Sequence, residues 1–334
     1  MQPLLFPIDT MYSPVQYQSL VNEFLANKPY LREPKKLYEP VQYELGLGGK
    51  RIRPVLMLMA YHMLRENVES ILPVAIGLET YHNYTLVHDD IMDNADMRRG
   101  KPTVHVKWNQ TTALLCSEIM VLHAYEGMMQ SCPEARDEVL KVFTQTAVEI
   151  SEGQQYDIEF EDRDDVTVPE YMEMIRLKTS VLLACALKLG AIQAGASSKD
   201  CELIYSFGEK FGLAFQLQDD YLDVYGDAAT FGKNIGGDIL CNKKTFMLLS
   251  ALERASGDLK AELQGWISAE DPDPQEKVAA VTAIYNELDI KALCENQIKN
   301  YYDEAKALLD EMSFPAEKKQ VLWDYVASMI NRDF

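Results

Sequence analysis

The chain has 334 residues, 47% of them apolar and 10% aromatic, which is enough to bury a substantial core and excludes a disordered polymer. Lysine and arginine number 32 against 52 acidic residues, and the net charge of -20 excludes sequence-independent attraction to nucleic acid or to an anionic membrane surface. Any phosphate that the protein binds has to be captured by local basic residues or by metal.

The first twenty residues, MQPLLFPIDTMYSPVQYQSL, lack a basic region and an unbroken apolar run, and no later run approaches the roughly 18 apolar residues of a membrane span, so neither export nor stable membrane insertion is expected. Helical spacing then recurs at residues 39–45, 53–67, 112–130, 138–153, 171–192 and 203–227, while strand-like alternation is scarce. Turn chemistry separates these stretches: GLGGK at 46–50, RRGKP at 98–102, SCPEA at 131–135, DRDDVTVPE at 162–170, GASSKD at 195–200 and EDPDP at 270–274. None is long enough for a domain linker, so a single domain over residues 1–334 is expected. Residues 181–194 are apolar almost all round, which places them at the centre of a helical bundle. Six cysteines, at 116, 132, 185, 201, 241 and 294, are scattered singly with no C-x-x-C pair, and they read as reduced core thiols of a cytoplasmic protein.

One pattern occurs twice. DDIMD at 89–93 returns as DDYLD at 219–223, each inside an apolar helical context. On a helix Asp89 and Asp93 share a face one turn apart with Asp90 roughly 100° round, and Asp219, Asp220 and Asp223 repeat the arrangement. A single copy in an acidic protein suits a solvated helix face. Two copies beside TLVH and FQLQ carry a desolvation cost that cations would remove, and few monodentate carboxylates with room for phosphate oxygens suit magnesium.

Basic residues flank both motifs. Arg98 and Arg99 follow the first, where Gly100 can end a helix and leave the guanidinium groups to grip phosphate. GGKRIRP at 48–54 sets Lys50, Arg51 and Arg53 at a helix start, and Lys178 with Thr179, Lys233 and Lys243 add further cations. Each alone suits a surface charge; as a set they fit two diphosphates.

These motifs together, GGKRIRP, HDDIMD with RRGKPTVH, GQQYD at 153–157, LKTSVLL at 177–183, FQLQDDYLD, FGK at 231–233 and GDILCNKKT at 237–245, resemble the trans-isoprenyl diphosphate synthases, or polyprenyl synthetases, over nearly the whole chain. The resemblance implies an all-α, isoprenoid synthase type of bundle with a central cavity faced by both acidic helices, and a homodimer. It implies a transferase that condenses isopentenyl diphosphate with an allylic diphosphate, with three magnesium ions when substrate is bound. By position, Asp89, Asp93 and Asp219 resemble the metal ligands, supported by Asp90, Asp220 and Asp223. Arg98, Lys178 and Lys233 resemble contacts to the allylic diphosphate, Lys243 belongs to the same basic set, and Lys50, Arg53, His82 and Arg99 resemble the isopentenyl diphosphate site. Thr179 and Gln216 stand where the family stabilises a developing cation. His82, a lone histidine on a helix, equally suits a satisfied core residue. Ser117-Glu118 and Asn242 depart from the common pattern, the last standing where relatives usually have glycine before Lys-x-Thr.

The resemblance also places a chain-length floor just before the first acidic motif. Gly77, Tyr81, Tyr84 and His88 share one helix face, and Tyr81 and Tyr84 are about 4.5 Å apart along it, near one isoprene unit. Two stacked tyrosines would stop growth early, so the expected product is C15 farnesyl or C20 geranylgeranyl diphosphate, the absence of an aromatic at Thr85 leaning toward C20. Core packing of both tyrosines is the alternative. A class I terpene cyclase, a regulatory subunit of a heteromeric synthase and an HD-type phosphohydrolase are competing readings. The second acidic motif and the two basic clusters disfavour the first, the retention of both motifs the second, and the lack of further histidine ligands the third.

Overall fold

A computed structural model describes residues 11–226 and 235–330. Among these the chain is helical almost throughout, and its strands are the two-residue antiparallel pair β1, Met97–Arg98, and β2, Lys101–Pro102. The helices are α1 (Pro14–Asn27), α2 (Lys35–Leu45), α3 (Ile52–His62), α4 (Leu72–Met92), α5 (Val104–Lys107), α6 (Gln110–Met128), α7 (Arg136–Glu161), α8 (Val168–Ile175), α9 (Val181–Ala194) and α10 (Ser198–Tyr225). Further helices span Gly237–Leu240, Phe246–Arg254, Gly257–Ser268, Pro274–Glu287, Ile290–Glu311 and Ala316–Ile330. None of the described helices is long and apolar enough to cross a membrane.

Three expectations need adjustment. The helix read over 53–67 stops at His62, residues 63–67 forming turns that lead into a separate 3-10 helix at Val68–Ile71. The run at 171–192 is interrupted by a π turn at Arg176–Ser180. Arg98 and Arg99 sit on a β hairpin instead of a helix end, α4 having finished at Met92 with Asp93 as its cap.

Contacts group the chain into two compact units. The first comprises Met1–Gln145, Cys185–Tyr205 and Met312–Leu322. Its interior holds α3, whose residues Val55 to Ala60 are all fully buried. There α4 and α6 approach so closely that a Cβ on Gly77 would stand 3.0 Å from the Gly127 Cα, so glycine is needed at the crossing. A polar knot closes the end of α3. Tyr17 Oη and His62 Nδ1 lie 2.7 Å apart, His62 Nε2 is 2.9 Å from a Glu66 carboxylate oxygen, and Lys318 Nζ donates to the His62 carbonyl at 2.9 Å and to Glu66 at 2.8 Å.

The second unit comprises Thr146–Ala184, Ser206–Glu311 and Trp323–Phe334. Its part of α10 buries Phe207, Phe211, Ala214, Leu217 and Tyr221, a 3.6-residue repeat that turns one face to the core. Local capping groups start its helices at two of the predicted breaks. Thr167 and Glu170 make a capping box before Pro169, and Asp273 accepts from Gln275 and Glu276 N–H groups before the helix begun by Pro274.

Candidate active site

At the end of α4 the helix continues through the first acidic motif, since the Asp93 N–H donates to the Asp89 carbonyl at 2.8 Å. Asp89 and Asp93 therefore share a face, Asp89 half-buried and Asp93 exposed. Asp90 turns inward and is 1% exposed. Arg98 grips it as a fork, Nε donating at 2.8 and 3.0 Å and Nη2 at 2.7 Å. The hairpin that carries Arg98 is tied down at its base by Thr103, whose hydroxyl donates to the Ala95 carbonyl at 2.8 Å.

Behind this lies a basic cluster. Arg53 Nη1 and His82 Nε2 are 3.1 Å apart. Burial, reinforced by the guanidinium groups of Arg53, Arg99, Arg98 and Arg51, holds His82 well below the usual imidazole range, so the ring is neutral and accepts from Arg53. Burial also pushes Arg53 down to about 10, with Glu79 opposing, and it stays charged near neutrality. Arg99 donates to the Gly48 carbonyl, and Lys50 is exposed on the turn before α3.

Two residues here depart from the sequence reading: Arg51, counted there in the basic set for diphosphate, and Glu44, which it passed over. Arg51 takes a left-handed conformation at φ 52° and is buried, and it bonds to three places: Asn22 Oδ1 at 3.2 Å, the Leu45 carbonyl at 2.7 Å and Glu79 at 2.7 Å. It therefore ties α1, the end of α2 and α4 to the turn that presents Lys50 and Arg53. Glu44 is fully buried, and among the described residues neither carboxyl oxygen has a hydrogen-bond partner. Burial, then Asp90, pushes its carboxyl up to about 7 against the pull of Arg99, Arg98 and Arg51. The one signal in the sequence was an acid inside the apolar stretch YELGLGG.

In the second unit the π turn displays Lys178, whose Nζ is 2.5 Å from an Asp157 carboxylate oxygen, joining the LKTS and GQQYD motifs. The neighbouring Thr179 hydroxyl donates to Gln216 Oε1 at 3.1 Å, and Gln216 Nε2 donates to Asp220 Oδ1 at 3.0 Å. Tyr171 closes the chain by donating to the other Asp220 oxygen. Burial pushes the Asp220 carboxyl up to about 7, Lys243 pulling the other way. Asp223 accepts the Asp238 N–H at 2.9 Å, and Lys243 Nζ lies 3.9 Å from Asp238. Asp219 is half-buried one turn before Asp223. Lys233 lies outside the described residues.

The proposed floor is an aromatic stack on α4. Tyr84 lies 4.5 Å from His88 and 5.3 Å from Tyr81 between ring centres, and Tyr81 meets Phe143 at 5.1 Å. Tyr81 is buried and Tyr84 half-buried. His88 Nε2 is 2.7 Å from the Ser117 hydroxyl, which gives one of the departing positions a partner beside the stack. Thr85 adds nothing to the stack, its hydroxyl donating to the His82 carbonyl at 2.8 Å. Phe143 was not foreseen, because its contact with Tyr81 joins distant parts of the sequence.

Among the described residues no group of three or more His, Cys, Asp or Glu side chains gathers closely enough to hold a metal ion alone. The donor chemistry nevertheless fits a hard divalent cation that keeps waters and takes phosphate oxygens. The candidate donors are carboxylates only, and Asp90, Asp220 and Asp223 are oriented by Arg98, by Tyr171 with Gln216, and by a backbone N–H.

Comparison with known proteins shows what the whole chain is similar to. The family model described as polyprenyl synthetase matches residues 34–287. A geranylgeranyl diphosphate synthase of Methanosarcina mazei is 36% identical over 305 residues, covering 90% of this chain and 91% of that protein. A crystal structure of a geranylgeranyl pyrophosphate synthase superposes with a TM-score of 0.92 at 42% identity, over 97% of this chain and 100% of that one. The geranylgeranyl pyrophosphate synthase of Corynebacterium glutamicum, complexed with isoprenyl diphosphate and magnesium, superposes with a TM-score of 0.84 at 26% identity, over 96% and 98% of the chains.

Proposed function

Because this chain belongs to the polyprenyl synthetase family, we propose that it condenses isopentenyl diphosphate with an allylic diphosphate and releases a short trans-prenyl diphosphate, ending at geranylgeranyl length. The observation that carries the length is the layout of α4, which has carboxylates at its end and stacked aromatic rings one to three turns earlier. Diphosphate chemistry and a limit on the growing chain are thus ordered along one rigid helix.

The residues divide by role. Arg98, Lys178 and Lys233 hold the allylic diphosphate, with Lys243 beside the second acidic motif, while Lys50, Arg53, His82 and Arg99 hold isopentenyl diphosphate. Neutral His82 serves as a hydrogen-bonding group for the Arg53 guanidinium and not as a further charge. Asp89, Asp93 and Asp219, with Asp90, Asp220 and Asp223 in support, would hold magnesium, three ions with substrate bound, which would neutralise charge on the leaving diphosphate.

The allylic C–O bond breaks and its electron pair leaves with the diphosphate. The isopentenyl double bond then attacks the allylic cation, a C–C bond forms, and the adjacent carbon gives its proton to the departed diphosphate. Thr179 and Gln216, hydrogen-bonded to each other, offer oxygen dipoles to the cation, and apolar helix faces keep out water that would quench it.

Residues 1–334 act as one synthase domain in this reading. An apolar stripe on α6, with Leu115 50% and Leu122 59% exposed and Met129 56% exposed at the helix end, suits a second copy of the chain and supports a homodimer. Free cysteines, four of six buried, suit the reducing cytoplasm. The test of the reaction is mass spectrometry of products from purified protein, magnesium, labelled isopentenyl diphosphate and each of dimethylallyl, geranyl and farnesyl diphosphate. A labelled C20 product supports it; no condensation with any primer overturns it.

A further inference from the structure

Lys277 lies on the helix Pro274–Glu287 and is 2% exposed, and its ammonium is held by neutral oxygens. Its ammonium donates to Asn242 Oδ1 at 2.8 Å and to the Leu240 carbonyl at 3.3 Å. Burying an ammonium is costly unless its donors are used, so those bonds are strongly favoured over their alternatives. Asn242 is the residue just before Lys243, and its backbone is left-handed at φ 54°. Asparagine tolerates that conformation, and here its side chain is also engaged on both sides, Nδ2 donating to the Ile267 carbonyl at 2.9 Å.

The same helix braces the other end of this segment. Gly236, at φ +85°, packs so closely on Val278 that an added Cβ would meet a Val278 methyl at 2.7 Å. Between the two braces, Asp223 holds the segment through its carbonyl, which accepts from Gly236 N–H at 2.6 Å, and through its carboxylate, which accepts from Asp238 N–H. Lys243 N–H donates to the Asp238 carbonyl at 2.9 Å. A cavity of about 10 Å³, room for one water, lies beside Asp238, Asn242, Lys243 and Tyr285, so the segment rests on packed structure.

We propose that Lys277 and Asn242 form a buried strut that sets where the Lys243 ammonium is presented to the diphosphate handled at the second acidic motif, which makes both of them positioning residues. The inference rests on the reading of Lys243 as a diphosphate contact. Asn242 accordingly does more than fill a left-handed turn, because a glycine there would permit the turn without fixing it.

Steady-state kinetics of four variants of the full-length protein test this: Lys243→Ala, Asn242→Gly, Lys277→Met and the double variant Asn242→Gly/Lys277→Met. Asn242→Gly permits the same backbone conformation and is the decisive variant if Lys277→Met fails to fold. The expected result is a KM for the allylic diphosphate raised about fivefold by Asn242→Gly, as for contacting residues of one hydrogen-bond network, with the KM for isopentenyl diphosphate within about twofold of the parent. The double variant is expected to match the worse single variant, or Asn242→Gly alone if Lys277→Met yields no folded protein. If Lys243→Ala raises the allylic KM while Asn242→Gly leaves it unchanged, the strut is overturned and the Lys243 contact stands. If Lys243→Ala itself leaves that KM unchanged, the contact falls and the inference with it.

Discussion

Replacing Tyr84 by alanine should lengthen the product by one isoprene unit. The ring centres of Tyr84 and Tyr81 are 5.3 Å apart, and Tyr81 stands 5.1 Å from Phe143. One isoprene unit adds four carbon–carbon bonds, roughly 5 Å of extended chain at about 1.5 Å per bond. Each ring of the stack thus measures about one unit. Tyr84→Ala should move the main product from C20 to C25, and Tyr84→Ala with Tyr81→Ala should move it to C30, where Phe143 becomes the stop. Tyr81 is buried, and its truncation should cost about 3 kcal/mol of stability, so Tyr81→Leu provides a milder partner for the double change. Mass spectrometry of products from farnesyl diphosphate and isopentenyl diphosphate reads the outcome directly. A folded Tyr84→Ala protein with an unchanged product distribution would refute the aromatic floor and return both tyrosines to core packing alone.

Three other outcomes are expected. Asp89→Asn should lower kcat about a hundredfold to a thousandfold while circular dichroism and the unfolding midpoint stay close to the parent, and a variant of near-normal rate would remove Asp89 from the metal set. For Glu44, whose folded carboxyl keeps its proton to about 7 while the unfolded chain loses it near the ordinary value of 4.5, stability falls as pH rises between those values, by about 3 kcal/mol in total. Urea unfolding at pH 5 and pH 8 should therefore show Glu44→Gln gaining on the parent at the higher pH, and an equal difference at both pH values would contradict the buried neutral acid. Arg51→Lys keeps the charge but loses the fork, so guanidinium unfolding should show a loss of about 3 kcal/mol, whereas a change below about 0.5 kcal/mol would mean that its three bonds are dispensable.

Much of this architecture is legible from periodicity and turn chemistry, because both are local. The i, i+4 carboxylates, the capping boxes and the buried face of α10 depend on neighbours within a few positions. What escaped depends on partners far away in sequence or on backbone geometry with no compositional mark. Arg98 was read as following a helix end, whereas a hairpin carries it and sets it against Asp90. The π turn at 176–180 leaves the helical pattern of apolar residues intact while changing which side chains it displays. Glu44 looks like any polar residue until the charges around it are known.

The knot at the end of α3 bears on how the polypeptide matures during translation. Residues 17, 62 and 66 leave the ribosome long before residue 318, the lysine that completes their hydrogen bonding. Until then the His62 carbonyl and Glu66 lack their cation, and the first unit also waits for Cys185–Tyr205 and Met312–Leu322. Its early helices can collapse on one another, yet closure is deferred until residues 312–322 have been made. Nascent chains of this protein stalled before residue 312 should stay protease-sensitive around α3, a stage at which exposed apolar surface invites chaperone binding.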